Sequence, residues 1–161
     1  MPGFGLLCQQ STVTCETALN APSLVGTFTG QATVKLSSNA LWGVDSTDAF
    51  SATVASQSSG EFSGTVSAPS VTLDVSNAII RGVAPKFSLY VSGFVDRNGC
   101  NLETRVVVSG ALNSSASPSS INGGLALRFT GNYSGAACTL EQIDVYPDTG
   151  ANFLLTATKS P

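Results

Sequence analysis

Apolar and polar residues alternate along most of the chain with a period of two, which is the spacing of a β-strand that buries one face. The pattern predicts nine strands, at about 24–36, 49–56, 60–68, 70–76, 86–96, 101–112, 122–133, 138–146 and 151–158. Helix is nearly absent, and only NAIIRG (77–82) and TCETALN (14–20) could form a turn or two. Many short strands between turn clusters predict an all-β fold, either an antiparallel β-sandwich or a small β-barrel of about eight or nine strands. We expect a single domain over 1–161.

The clearest hairpin surrounds Asn98-Gly99, because an Asn-Gly pair between alternating runs favours a type I′ turn with positive φ at both positions. The register counted outward from this turn brings apolar residues together on one face and polar residues on the other. The predicted pairs on the apolar face include Val95–Leu102, Val91–Val106 and Leu89–Val108, and those on the polar face include Ser92–Arg105 and Phe94–Glu103.

A second hairpin joins the arm that ends at Ala68 to the arm that begins at Val71, through the letters APS (68–70). Proline cannot adopt the positive φ of a type I′ turn. We therefore expect a four-residue or type I connection.

A loose repeat of a hydroxyl residue followed by glycine runs through the strands. It occurs as FTGQA (28–32), FSGTV (62–66), VSGFV (91–95), VSGAL (108–112) and FTGNY (129–133). Glycine within a strand favours a bend, a bulge or a close crossing of two backbones. The alternative is a recognition surface where glycine lets a ligand approach.

The four cysteines, Cys8, Cys15, Cys100 and Cys138, allow three disulfide connectivities. We prefer Cys100–Cys138 together with Cys8–Cys15, which would clip the N-terminal segment 1–22. A zinc site is not expected, because the chain has no histidine and no CxxC spacing.

The SGxV and TGNYSGAAC elements, with the closing strand FLLTATK, resemble small all-β domains of exported bacterial lipoproteins and surface proteins. The resemblance covers most of residues 24–159. It implies export and a β-barrel or sandwich, and it carries over no functional residue.

Charge is sparse: 11% of residues are charged, the net charge is −3, and the Lys and Arg residues are scattered. No basic stripe follows a phosphate backbone, so we expect no nucleic-acid partner. No apolar run is long enough for a transmembrane helix, and two aromatic girdles are missing, so we expect no transmembrane segment. We expect an extracellular, periplasmic or cell-surface location, with any signal peptide outside this sequence.

Catalytic chemistry is hard to place without histidine, the usual general base, and we expect neither an enzyme nor a cofactor. The stretch LWGVDSTDAF (41–50) is the possible binding loop, with Trp42 between polar residues. Trp42 could anchor a partner while Asp45 and Asp48 help to hold calcium. The alternative is that Trp42 folds back into the core and the two acids stabilise turns.

These features predict a non-catalytic extracytoplasmic surface, adhesive or self-assembling structural domain, whose partner is a protein, a surface glycan or a second copy of the chain. The alternative is a lipocalin-like barrel that binds a small apolar ligand. Its cavity would be lined by Phe87, Leu89, Val91, Val106 and Val108.

Overall fold

The chain forms a closed barrel of eight antiparallel strands, each hydrogen-bonded to the next, and the last strand pairs with the first. The structure is a computed structural model that describes residues 21–39, 41–58, 60–97, 99–134 and 149–161. The strands are β1 (Gly26–Ser37), β2 (Thr47–Ser58), β3 (Glu61–Ala68), β4 (Val71–Arg81), β5 (Lys86–Arg97), β6 (Cys100–Asn113), β7 (Ser120–Ser134) and β8 (Thr149–Lys159).

The closed barrel confirms the all-β prediction and decides between its two alternatives. Eight of the nine predicted strands correspond to β1–β8, and the ninth, 138–146, lies outside the described residues, as does the possible helical turn at 14–20. The helical turn considered at 77–82 was wrong, because residues 77–81 complete β4. There Ala78 and Ile80 point inward while Ile79 points outward, which is strand periodicity.

The β5–β6 hairpin has the predicted register at every pair, including Val91–Val106 and Ser92–Arg105. The longer turn expected between β3 and β4 was wrong. Ala68 pairs directly with Val71, so Pro69 and Ser70 alone form the connection. Ser70 has a φ of 63°, and Pro followed by a residue with positive φ is the combination that a type II turn uses.

Inward side chains from all eight strands fill the barrel and form one buried cluster. The largest fully buried members are Phe28, Phe129, Leu24, Ile80, Leu89, Leu102, Leu125, Leu127 and Leu155. Burial of each such side chain contributes about 1.5–3 kcal/mol. Because β1 pairs with β8, neither strand has an unpaired edge. The buried core and the backbone hydrogen bonds therefore both stabilise the closed barrel.

Glycines allow neighbouring strands to approach closely, as predicted for the hydroxyl–glycine repeat. A Cβ atom on Gly30 would lie 1.9 Å from the carbonyl oxygen of Thr156, and one on Gly64 would lie 1.8 Å from that of Thr53. Gly93 instead accommodates a side chain, since its Cβ would lie 3.1 Å from Leu73 Cδ2. In the described part of the repeat, glycine therefore serves packing between strands.

The seam between β4 and β5 has the shortest ladder in the described barrel. It contains three registered pairs, from Ile79–Tyr90 to Arg81–Ser88. The β3–β4 register shifts between Phe62 and Gly64, which places one extra residue in β4. Such a bulge bends its strand and locally ends pairing.

Cys100 begins β6, is fully buried and is disulfide-bonded. The other three cysteines lie outside the described residues. The preferred connectivity therefore stays a prediction.

Within the described residues, no helix has the length and apolar character needed to cross a bilayer.

Replacement of Gly30 by alanine should lower the free energy of unfolding by about 2–3 kcal/mol, because the new methyl group meets backbone that cannot move aside. Gly43→Ala is the matched control, since no heavy atom lies within 4 Å of its added Cβ. It should change stability by less than about 0.5 kcal/mol. Urea unfolding measures both, and equal midpoints for the two variants would contradict the close approach of β1 and β8.

Tryptic digestion without reductant tests the cysteine pairing. The cysteines fall in three tryptic peptides, 98–105 (Cys100), 129–159 (Cys138) and 1–35 (Cys8 and Cys15). Mass spectrometry should find 98–105 linked to 129–159. A link from 98–105 to 1–35 would overturn the preferred connectivity.

Candidate functional site

Trp42 lies inside one end of the barrel and is only 2% exposed. Its ring stacks on Phe129, with centroids 5.5 Å apart and planes at 13°, and meets the ring of Phe153 nearly edge-on at 6.1 Å. Its Nε1 donates a hydrogen bond of 3.1 Å to the carbonyl oxygen of Pro69. Trp42 therefore has the position expected of a core plug, and its buried polar atom has a partner.

Asn39 shapes the loop that returns Trp42 to the core. Its side-chain oxygen accepts from the backbone N–H of Leu41, and its Nδ2 donates to Thr149 Oγ1 at 2.9 Å. The Trp42 N–H donates to the Asn39 carbonyl. These bonds form a tight turn of the kind that asparagine favours. The turn points the indole inward.

Asp45 and Asp48 do not join Trp42 in one binding site. Both acids are exposed, whereas Trp42 is buried. Asp45 has a φ of 66° and an exposed ion pair with Lys35 at 3.3 Å. Among the described residues, no three His, Cys, Asp or Glu side chains are grouped to hold a metal ion. Asp45 thus has the turn geometry of the alternative interpretation.

Hydroxyl side chains cover the outer surface of β2, β3 and β4. We call these outward residues the β2–β4 face; its registered rows are Ser51–Ser67–Thr72, Thr53–Thr65–Asp74 and Glu61–Ile79. The hydroxyl oxygens of Ser67 and Thr72 are hydrogen-bonded at 3.1 Å, and Thr65 donates to Asp74 at 3.2 Å. Cross-strand bonds of this kind hold short side chains in fixed positions.

Aromatic and charged side chains cover the outer surface of β5, β6 and β7. We call these outward residues the β5–β7 face; its registered rows are Tyr90–Val107–Ala126, Ser92–Arg105–Arg128 and Phe94–Glu103. Tyr90 is 45% exposed and Phe94 is 61% exposed. They point the same way from one strand, about 13–14 Å apart. Two exposed aromatic rings on one face are a feature of surfaces that bind partners.

A carboxylate between two polar groups fixes the centre of the β5–β7 face. Glu103 accepts a hydrogen bond of 2.6 Å from Thr130 Oγ1, and its other oxygen lies 3.6 Å from Arg105 Nη2. The Glu103 side chain is 18% exposed, while that of Arg105 is 62% exposed. Glu103 therefore orients Arg105, whose guanidinium still has donors facing solvent.

An open groove of about 570 Å³ continues the β5–β7 face towards the end of β1. Ala126 and Arg128 line one side, and Leu36 and Asn152 line the other. Ala126 and Asn152 are registered partners, so the groove crosses the β7–β8 ladder on the outside of the barrel. The face thus continues into a concave groove whose lining contains both apolar and polar side chains, and a partner could bind there.

The two faces adjoin along the β4–β5 seam, where Ile79 is registered with Tyr90, and they curve away from each other around the barrel. They have opposite charge. In an eight-stranded meander, β2 lies across from β6 and β3 from β7. Residues 47–81, from the start of β2 to the end of β4, contain three acids, Asp48, Glu61 and Asp74, and one basic residue, Arg81, a net charge of −2. Residues 86–128 contain four basic residues and two acids, a net charge of +2.

Sequence reasoning did not identify the β5–β7 face, although the β5–β6 register within it was predicted correctly. The signal was present in that register, because Tyr90, Phe94 and Arg105 fall on the polar side of the hairpin. Two aromatic residues on the side assigned to solvent are informative, since large exposed apolar groups are a mark of contact surfaces.

Fluorescence of Trp42, the only tryptophan, should distinguish a plug from a surface anchor. We expect blue-shifted emission that acrylamide quenches poorly in the folded protein and readily in urea. Trp42→Ala should lower the free energy of unfolding by about 3–5 kcal/mol, whereas Val44→Ala on the exposed side of the same loop should change it little. Strong quenching in the native state would contradict the buried position.

Comparisons with family models, with curated proteins and with solved structures find no match for this chain. The resemblance to exported bacterial β domains thus remains one of strand and turn motifs. Function has to be argued from the surfaces of the barrel itself.

Proposed function

We propose that this chain is a non-catalytic extracytoplasmic structural domain that works by contact, through its β5–β7 face, with proteins or surface glycans and with copies of itself. One observation carries the proposal: Tyr90 and Phe94 are exposed on the same face as Arg105. Tyr, Phe and Arg are enriched in interfaces, and Tyr and Arg are frequent among the residues that contribute most binding energy.

The filled interior supports a function on the outside of the barrel. The five residues of the lipocalin-like alternative, Phe87, Leu89, Val91, Val106 and Val108, are each at most 3% exposed. A cavity large enough to hold water would leave the side chains that line it partly exposed, and these side chains are buried. A small apolar ligand would have to displace them, and this disfavours the carrier.

The chemistry of the chain supports a role without catalysis. The sequence has no histidine, so the usual general base and the commonest metal ligand are missing. The exposed Asp45 is engaged with Lys35, and Glu103 is held by Thr130 and Arg105. These carboxylates have positions that stabilise loops and strands.

The disulfide-bonded state of Cys100 supports the proposed location. Disulfides persist in oxidising compartments outside the cytoplasm. A buried disulfide at the start of β6 would strengthen a domain that has to keep its surfaces in place without chaperones. The sparse, hydroxyl-rich exterior is compatible with lateral contacts, because few charges have to be desolvated.

Size-exclusion chromatography with light scattering should find species larger than the 16.4 kDa monomer. Tyr90→Ser and Phe94→Ser should each move the population towards the monomer, because each removes an aromatic contact worth about 1–2 kcal/mol or more. Val44→Ser is the matched control, since Val44 is 60% exposed on a loop away from this face.

The same measurement with reductant tests the contribution of the disulfide. Loss of the large species after reduction would indicate that the bonded cysteines support the assembling form. A 16.4 kDa monomer under every condition, unchanged by reductant, would contradict self-assembly. The adhesive role would then be tested by measuring binding of the protein to glycan arrays and to other proteins.

A further inference from the structure

Each copy of the barrel has two surfaces of complementary charge, the β2–β4 face and the β5–β7 face. We propose that copies associate front to back, with the β5–β7 face of one copy against the β2–β4 face of the next. This inference rests on the proposed function and names its partner surface. Charge complementarity carries it: Arg105 is 62% exposed on a face of net positive charge, and Asp74 is exposed on a face of net negative charge, where three acids outnumber Arg81 at the end of β4.

Like charges disfavour pairing of either face with itself. Two β5–β7 faces would bring basic residues together, and two β2–β4 faces would bring together Asp74 and Glu61 of each copy. Like-charge contacts across an interface are costly, whereas opposite charges set the orientation of association. The charge pattern therefore selects front-to-back contact.

The shapes of the side chains on the two faces suit this contact. The β2–β4 face presents short hydroxyl side chains, which lose little conformational entropy when they are covered. Several of them are already held by cross-strand hydrogen bonds, including Ser67 with Thr72. Against this even surface, Tyr90 and Phe94 can place large rings and Arg105 can reach Asp74. An aromatic surface against small polar residues is a common mode of adaptable protein contact.

Front-to-back contact uses two different surfaces of each copy. Each added copy therefore presents a new β5–β7 face at one end and a new β2–β4 face at the other. Such heterologous contacts build rings when their rotation closes and open filaments when it does not. Asp74 on β4 and Arg105 on β6 lie two strands apart, a quarter of the way around the eight-stranded barrel. Each copy is therefore rotated relative to the last, as in a ring or a helical row.

Charge reversal tests the pairing of the two faces. Arg105→Glu and Asp74→Lys should each reduce association about tenfold or more at low salt, measured by light scattering and sedimentation. The double variant Arg105→Glu/Asp74→Lys should regain high-mass species, and so should a 1:1 mixture of the two single variants. Lys35→Glu on β1 and Thr156→Lys on β8 are the controls, because they change charge outside both faces and should leave association unchanged.

Each outcome decides the inference. If Asp74→Lys assembles like the unaltered protein, or if neither the double variant nor the mixture recovers, the front-to-back contact is overturned while the contact function stands. If the unaltered chain stays monomeric at every salt concentration, self-assembly itself fails and the inference with it. Tryptophan fluorescence confirms that each variant is folded. Should a reversal prevent folding, Arg105→Gln and Asp74→Asn provide the milder pair, each expected to weaken association severalfold.

Discussion

Pairing of the first strand with the last is the constraint on which the rest of this molecule depends. β1 is registered with β8 from Phe28–Lys159 to Ser37–Ala151. Without that ladder, the sheet would have two open edges and an uncovered apolar side. Closure gives each strand two hydrogen-bonded neighbours. It also encloses every second side chain of each strand inside the barrel. It further requires the backbones of neighbouring strands to approach closely. This explains why Gly30 lies where any side chain would meet the backbone of β8.

Closure also determines where a function can be located. An eight-stranded barrel is narrow enough for its own side chains to fill it, and here the inward residues from every strand form one buried cluster. Substitutions at the outward positions and in the loops are therefore the ones expected to leave the fold intact. The outward residues divide by strand: hydroxyls and acids follow β2–β4, and aromatic and basic residues follow β5–β7. Two surfaces of different chemistry thus result from one uninterrupted meander.

Local features were predictable from the sequence, and long-range ones were not. The β5–β6 register followed from Asn98-Gly99 and the alternation beside it, because the turn and the buried face specify the same pairing. The choice between barrel and sandwich depended on β1 meeting β8, more than a hundred residues later, and no local pattern reports that contact. At Pro69-Ser70, a serine with positive φ permitted a shorter turn than proline suggested. Trp42 could be assigned to a loop from the sequence. The inward orientation of its side chain could not, because it depends on the hydrogen bond from Asn39 to Thr149 on β8.

The short ladder between β4 and β5 gives the barrel a preferred place to open. Three registered pairs join these strands, and the side chain of Leu73 lies against Gly93 beyond them. Cooperative units of a protein open locally where the fewest interactions join them. Since β4 carries Asp74 and β5 carries Tyr90 and Phe94, local opening of this seam would change the adjoining margins of both faces at once while the longer ladders kept the rest of the barrel closed.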